Sequence, residues 1–302
     1  MQLPDRIMVT EVGPRDGLQN EPEQVPAKDK IRFIDQLSAC GFPEIEVTAF
    51  VSPRWVPQLS DATEVLSGIS RVEGVTYSAL VPNMEGWQRA AEAGVDKISV
   101  FTAASESFSR RNTNATIAET LARFEPVIHA ARESGCPVRA YVSCAVACPF
   151  EGVIRPDQVK AVVASLLDRG VTEIDLGDTI GMATPHDIDA LVEAVADQVA
   201  AEDLVLHLHD TRGTALACCY RALQLGVSRF DTSCGGLGGC PYAPGATGNL
   251  ATEDLLFLTR GLGIDAGIDA SRVNQAASMM ERSLDRPLTG RVYRADASSE
   301  QS

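Results

Sequence analysis

The sequence points to a (β/α)8 TIM barrel, one closed parallel α/β barrel, with a short C-terminal helical extension. Three observations carry this. Short β-branched or apolar runs recur along the 302 residues, each followed by a polar turn and a longer segment with apolar residues at helical spacing. Several of the longer segments stop on a glycine, at Gly41, Gly94, Gly170 and Gly226, as a helix does before the next strand begins. No Pro/Gly/Ser-rich linker cuts the alternation into halves, and this length is ordinary for one barrel. An open doubly wound sheet is the competing arrangement. It is disfavoured because Gly13 and Gly17 frame Arg15-Asp16 after the first strand, where a G-x-G-x-x-G phosphate turn would stand.

The strands expected in order are Ile7–Val12, Glu44–Ala49, Thr76–Val81, Lys97–Phe101, Val138–Cys144, Glu173–Leu176, Leu204–Leu208 and Arg229–Ser233. Helices are expected at Ala27–Cys40, Asp61–Ile69, Met84–Ala93, Ile117–Glu133, Pro156–Arg169, Pro185–Ala200, Ala215–Leu225 and Thr252–Arg260. Pro156 and Pro185 stand in a first helical turn, where a missing N–H costs nothing. The barrel domain is expected over 1–263 and the extension over 264–302, with one helix at Ser271–Leu284 and a frayed end over Ala295–Ser302.

An apolar fraction of 45% is enough for a large buried core. A formal charge of −15 argues against a protein that grips nucleic acid or an anionic membrane through a general positive field, so an anionic ligand must be held by local groups. No apolar run is long enough to span a bilayer, and MQLPDRIMVTEVGPRDG has no charged-then-apolar leader. The expectation is a cytoplasmic protein with neither nucleic acid nor membrane as partner, assembled as a homo-oligomer, a dimer. Eight cysteines without a C-x-x-C pair make structural zinc and disulfides poor guesses, and all but Cys240 are expected as reduced, buried or half-buried small side chains.

In such a barrel the chemistry gathers at the carboxyl ends of the strands. That brings together Arg15 and Asp16 after the first strand, Glu46 late in the second, and Tyr141 on the fifth. Asp178 and Thr179 follow the sixth, His207 and His209 lie on the seventh, and Cys240 and Asn249 follow the eighth. In His207-Leu-His209 strand alternation turns both imidazoles to one face, which suits a divalent metal. An isolated H-x-H is equally compatible with a satisfied pair of core histidines, and the converging acids tip the balance. Asp16 and the amide oxygen of Asn249 complete an N/O set suited to Mg²⁺, Mn²⁺ or Co²⁺. Asp16 alone could also cap its loop, and Arg15 could be a rim ion-pair partner or the support of a developing enolate.

Glu46 lies in an apolar strand and needs a partner, which Arg15 can supply. Asp178 and Thr179 either close a turn or meet a substrate hydroxyl. His129 and His186 fall on helices and are expected at the surface. The glycine-rich run GGLGGCPYAPGATGN from Gly235 to Asn249 cannot be regular helix or strand, and its Cys240 is a linker residue, a metal or disulfide sulfur, or a thiol at the edge of the site.

These residues resemble a known family. EVGPRDGLQNE (11–21), FVSPRWVP (50–57), YVSC (141–144), GDTIG (177–181), HLHDT (207–211) and the Cys240 loop are similar to those of 3-hydroxy-3-methylglutaryl-CoA lyases over about residues 5–263. The RDG and H-x-H-D elements belong more widely to metal-dependent lyases and synthases on this barrel, including isopropylmalate and homocitrate synthases, whereas the cysteine loop is specific to the CoA lyases. The resemblance implies Asp16, His207, His209 and Asn249 as ligands of Mg²⁺ or Mn²⁺, Arg15 as enolate stabiliser and Cys240 as a catalytic acid/base thiol. It further implies an acyl-CoA substrate cleaved to acetyl-CoA and acetoacetate, with His207 or Asp178 assisting loss of the hydroxyl proton, and a place in leucine breakdown. Arg212, Ala49 and the Cys144-Ala-Val-Ala-Cys148 run depart from the family pattern and bear on the shape of the acyl pocket, so a related or longer 3-hydroxy-3-alkylglutaryl-CoA is the alternative substrate. A Claisen-condensing acyltransferase of the synthase branch is the other. Arg54, Arg110, Arg111 and Arg155 are candidates for the CoA phosphates.

Overall fold

The structure, a computed structural model, describes residues 3–239 and 248–299. Eight parallel strands, Met8–Glu11, Glu44–Ala49, Thr76–Leu80, Lys97–Ala103, Val138–Ser143, Glu173–Asp178, Val205–Leu208 and Arg229–Thr232, each pair with the next in sequence, and the eighth closes on the first from Met8↔Arg229 to Glu11↔Thr232. Every expected strand is found within two residues of its expected ends. The helix-ending glycines Gly41, Gly94, Gly170 and Gly226 all have φ between 77° and 96°, a left-handed conformation that other residues adopt only with strain.

Helix Ile117–Glu133 starts on a reciprocal cap, with the Thr116 hydroxyl accepting from the Glu119 N–H and the Glu119 carboxylate from the Thr116 N–H. Helix Pro185–Val195 is shorter than expected, because the chain passes through turns and a 3₁₀ segment at Ala201–Asp203 before the seventh strand. Among the elements not expected are helix Glu106–Thr113, capped by Ser105, and an antiparallel bridge of 147–148 with 152–153. The frayed end expected over 295–302 is corrected over 295–299, which belong to helix Arg291–Ser299, while 300–302 lie outside the described residues. The Arg291 and Val292 N–H groups donate to the Asp254 carboxylate at 3.3 and 2.7 Å, and Tyr293 is buried, so the first turn is pinned and the helix can propagate.

Strand alternation separates two interiors. Outward-facing Ile45, Val47, Ile98, Val100, Val138, Ala140, Val142, Ile174 and Leu206 pack under the helices as one apolar layer. The inward face is ionic. Arg139 donates from Nη1 to Asp231 at 2.9 Å, from Nη2 to Thr10 at 2.9 Å and Glu44 at 3.4 Å, and from Nε to Glu173. Lys97 bridges Glu44 and Glu173 at 2.8 and 2.7 Å. Asp175 lies 3.6 Å from Arg139; burial first and the neighbouring Asp231 charge second push its carboxyl well above the usual range. This charged floor lies beneath the carboxyl-end mouth.

Candidate active site

The chain leaves the first strand through a single π-turn, Gly13–Gly17, closed by the Gly17 N–H on the Val12 carbonyl at 3.1 Å. Close packing requires its glycines: a Cβ on Gly17 would lie 2.9 Å from Leu237 Cβ and from Ser233 Oγ. The turn sets Arg15 and Asp16 at the mouth. Glu46 accepts from Arg15 Nε, from the Ser99 hydroxyl and, at 3.1 Å, from Tyr141 OH, while Arg15 Nη1 donates to Asp16 at 2.5 Å. Burial alone would lower the Arg15 pKa, but the Glu46 charge, followed by that of Asp16, outweighs it and the guanidinium stays charged. Its Cζ lies 5.2 Å from the centre of the Tyr141 ring.

Asp16, His207 and His209 each bring one ligating atom within 4.8 Å of the others, the one such group of three among the described residues. Asp16 Oδ2 is 3.8 Å from His207 Nε2. Asn249 reaches the group by pairing backbone to backbone with His209, and its Nδ2 donates to Asp16 at 3.0 Å and to the Leu237 carbonyl at 3.2 Å. That leaves Asn249 Oδ1 buried without a partner among the described residues, and His209 Nδ1 likewise. Orphaned buried acceptors beside an ionised carboxylate are what a divalent cation would satisfy, so the donor set fits the metal. Burial pushes the Asp16 carboxyl up, yet Arg15 and the two imidazoles hold it at about 2. Burial first and the His207 charge second lower His209 to about 4, leaving its imidazole neutral.

A cavity of about 960 Å³ opens over these groups and is lined by Arg15, Asp16, Tyr141, Thr179, His207 and His209, among others. Thr179 Oγ1 also accepts from the Cys144 N–H at 2.8 Å. Asp178 lies elsewhere: it does not line the cavity, and its two oxygens accept from the Met182 and Ala183 N–H groups at 2.9 and 2.8 Å, so of its two expected roles the structure places it in the turn-closing one. Cys240 lies outside the described residues, with Gly239 on the cavity wall before it. No disulfide joins the seven described cysteines. His129 and His186 are exposed on helices.

Of the arginines offered for CoA phosphates, Arg111 lines the cavity, while Arg155 pairs with Asp157 and, like Arg54 and Arg110, stays off the lining. Arg123, passed over in the sequence, does line it. Arg212 donates to the Ile180 and Gly181 carbonyls at 2.8 and 3.0 Å, tying two loops together away from the lining. Ala49 joins Leu59, Leu80 and Tyr141 in a small apolar cluster with Val51, Val56 and Phe101 beside the cavity. Sequence reading also missed Asp231, 3.2 Å from His207 Nδ1, and Arg139 behind it. The signal was present, since the alternation that turns both histidines inward does the same for Arg229 and Asp231.

The family model described as HMGL-like matches residues 6–280. A Rattus norvegicus protein named 3-hydroxy-3-methylglutaryl-CoA lyase, cytoplasmic, is 48% identical over 293 residues, covering 97% of this chain and 85% of its own; other relatives of similar identity are named mitochondrial. A Pseudomonas aeruginosa protein named 3-hydroxy-3-isohexenylglutaryl-CoA/hydroxy-methylglutaryl-CoA lyase is 51% identical over 269 residues, covering 89% of this chain and 90% of its own. The crystal structure of a hydroxymethylglutaryl-CoA lyase from Pseudomonas aeruginosa superposes with a TM-score of 0.97 at 47% identity, covering 99% of this chain and 100% of that one. With an unbroken match over the barrel and these relatives spanning nearly its whole length, the chain belongs to the HMGL-like family, among the hydroxymethylglutaryl-CoA lyases.

Proposed function

We propose that the protein cleaves 3-hydroxy-3-methylglutaryl-CoA to acetyl-CoA and acetoacetate with the help of Mg²⁺ or Mn²⁺ held by Asp16, His207, His209 and Asn249. The observation that carries this is the convergence of Asp16, His207 and His209 on a cavity that also receives the Arg15 guanidinium, with Asn249 bonded to Asp16 behind them. A divalent ion held by these residues would supply Lewis acidity, which favours ionisation of a hydroxyl. The C3 hydroxyl gives up its proton to a base at the mouth, for which His207 is the candidate the family resemblance offers; its electron pair becomes the ketone, the C2–C3 bond breaks, and the pair from that bond resides on the thioester enolate.

Arg15 faces that charge. Glu46, itself held by the Ser99 and Tyr141 hydroxyls, fixes the guanidinium before substrate arrives, so no reorganisation is needed when the enolate forms. Cys240 then delivers a proton to C2 from the segment between Gly239 and Asn249, a role supported by family resemblance. Thr179 lines the acyl site, and Arg111 and Arg123 are positioned to oppose CoA phosphates. Cytoplasmic residence, a dimer, the division near residue 263 and a place in leucine breakdown complete the reading.

A longer C3 substituent is the second reading. Val51, Val56, Leu80 and Phe101 give the cavity an apolar wall, and the relative that shares 51% identity is named for an isohexenyl substrate. Incubation of the purified protein with Mg²⁺ or Mn²⁺ and each acyl-CoA tests both. Acetyl-CoA together with acetoacetate establishes the first substrate; if neither product appears with metal present, that substrate is wrong.

A further inference from the structure

Two histidines stand at the candidate metal centre, and their surroundings differ. His209 Nδ1 is buried without a partner among the described residues. His207 is held on several sides: Nδ1 faces Asp231 Oδ2 at 3.2 Å, Nε2 faces Asp16, and the Tyr141 ring meets the imidazole edge-on, with centroids 6.0 Å apart at 84°. Asp231 reaches His207 because the seventh and eighth strands pair in parallel with Asp231 opposite His207 and both side chains inward. Its other oxygen accepts from Arg139 Nη1 at 2.9 Å, and Arg139 is itself held by Thr10, Glu44 and Glu173. The Asp231 side chain is 0% exposed, so it cannot swing out to water.

A neutral imidazole carries one N–H and one lone pair, and the partner of one nitrogen decides which nitrogen has which. An anchored carboxylate at Nδ1 keeps the proton there and leaves the Nε2 lone pair facing Asp16. We propose that Asp231, anchored by Arg139 in the barrel floor, is a positioning residue that sets the tautomer and aim of His207 before the metal binds. This rests on the metal centre proposed above. The ionic floor then connects to chemistry through one hydrogen bond, and the other floor carboxylates have no such contact.

Two measurements test it. In metal-free wild-type protein in alkaline buffer, NMR of the histidine nitrogens should show neutral His207 as the Nδ1–H tautomer; an Nε2–H form overturns the proposal and requires no variant. Mn²⁺ titration then compares wild type, Asp231→Asn and Glu44→Gln, the last removing a floor charge that also contacts Arg139 but not His207. Asp231→Asn should weaken Mn²⁺ binding by about 10- to 100-fold, with Glu44→Gln within about twofold of wild type. Equal Mn²⁺ affinity in Asp231→Asn and wild type, or an equal loss in Glu44→Gln, overturns it, since the effect would then be absent or would belong to the floor as a whole. His209→Ala separates the two readings: if wild type binds Mn²⁺ no better than this variant, the metal centre fails, while the wild-type tautomer still decides the role of Asp231.

Discussion

The floor of the barrel and its mouth are both dense in charge, and they treat it differently. In the floor, Arg139 and Lys97 meet Glu44, Glu173 and Asp231 at hydrogen-bonding distance, and each cation has several anions. At the mouth, Asn249 Oδ1 and His209 Nδ1 are buried without partners among the described residues while Arg15 holds Asp16 ionised. A paired buried charge holds structure together; an unpaired acceptor is a cost that persists where a ligand relieves it. Unpartnered acceptors lie in the floor too, on Glu44 Oε1 and both Asp175 oxygens, so what marks the mouth is that its orphans stand beside an ionised carboxylate, Asp16, that lines an open cavity.

Substitutions can break the contrast. Arg139→Met removes the cation that Asp231, Glu44, Glu173 and Asp175 share, leaving Asp175 without an ion pair among the described residues, and should cost about 3–5 kcal/mol in chemical denaturation, whereas His209→Ala should lose Mn²⁺ binding with metal-free stability changed by less than about 1 kcal/mol. Equal destabilisation by the two would erase the distinction. Arg15→Gln should lower kcat by about 10²–10³-fold in steady-state assays with the fold intact, because it removes the donor aimed at the enolate; a change confined to KM would assign Arg15 to binding.

Cys240→Ser should lower turnover by about a hundredfold while Mn²⁺ affinity and thermal unfolding stay as in wild type. Normal turnover would remove the thiol from the mechanism.

The smallest effect lies outside both regions, where Glu11 and Glu253 are buried between the barrel wall and the C-terminal helices. Burial, partly offset by backbone N–H donors, raises Glu11 from 4.5 to about 7 and Glu253 from 4.5 to about 8. The folded state therefore keeps protons that the unfolded chain releases above 4.5, so these groups make stability fall as pH rises through that window. Thermal midpoints measured across it should decline, and less steeply in Glu253→Gln; an unchanged slope would show that Glu253 is ionised in the fold.

Most of the barrel was legible because each strand and helix announces itself locally. Apolar period and a terminal glycine need no distant partner, and Gly41, Gly94, Gly170 and Gly226 each end a helix where the pattern places them. The candidate site was legible in part for the same reason: the closed topology converts a position at the end of a strand into a position at the mouth, and so gathers Asp16, His207, His209 and Asn249. Asp178 shows where that rule stops. Position at a strand end cannot tell a carboxylate that faces the cavity from one that folds back on its own loop, as Asp178 does onto Met182 and Ala183.

Chain order alone was thus sufficient for the architecture, for which strand ends share a mouth and for the identity of the metal-type side chains, since these follow from periodicity and from chemistry that each residue carries with it. Pairings across the barrel that the sequence did not suggest were settled only by folding: Asp231 with His207 and Arg139 with Asp231, over 24 and 92 residues. Strand register and inward alternation fix which side chains touch, and those contacts in turn decide which nitrogen of a histidine is occupied and which acceptor is left without a partner.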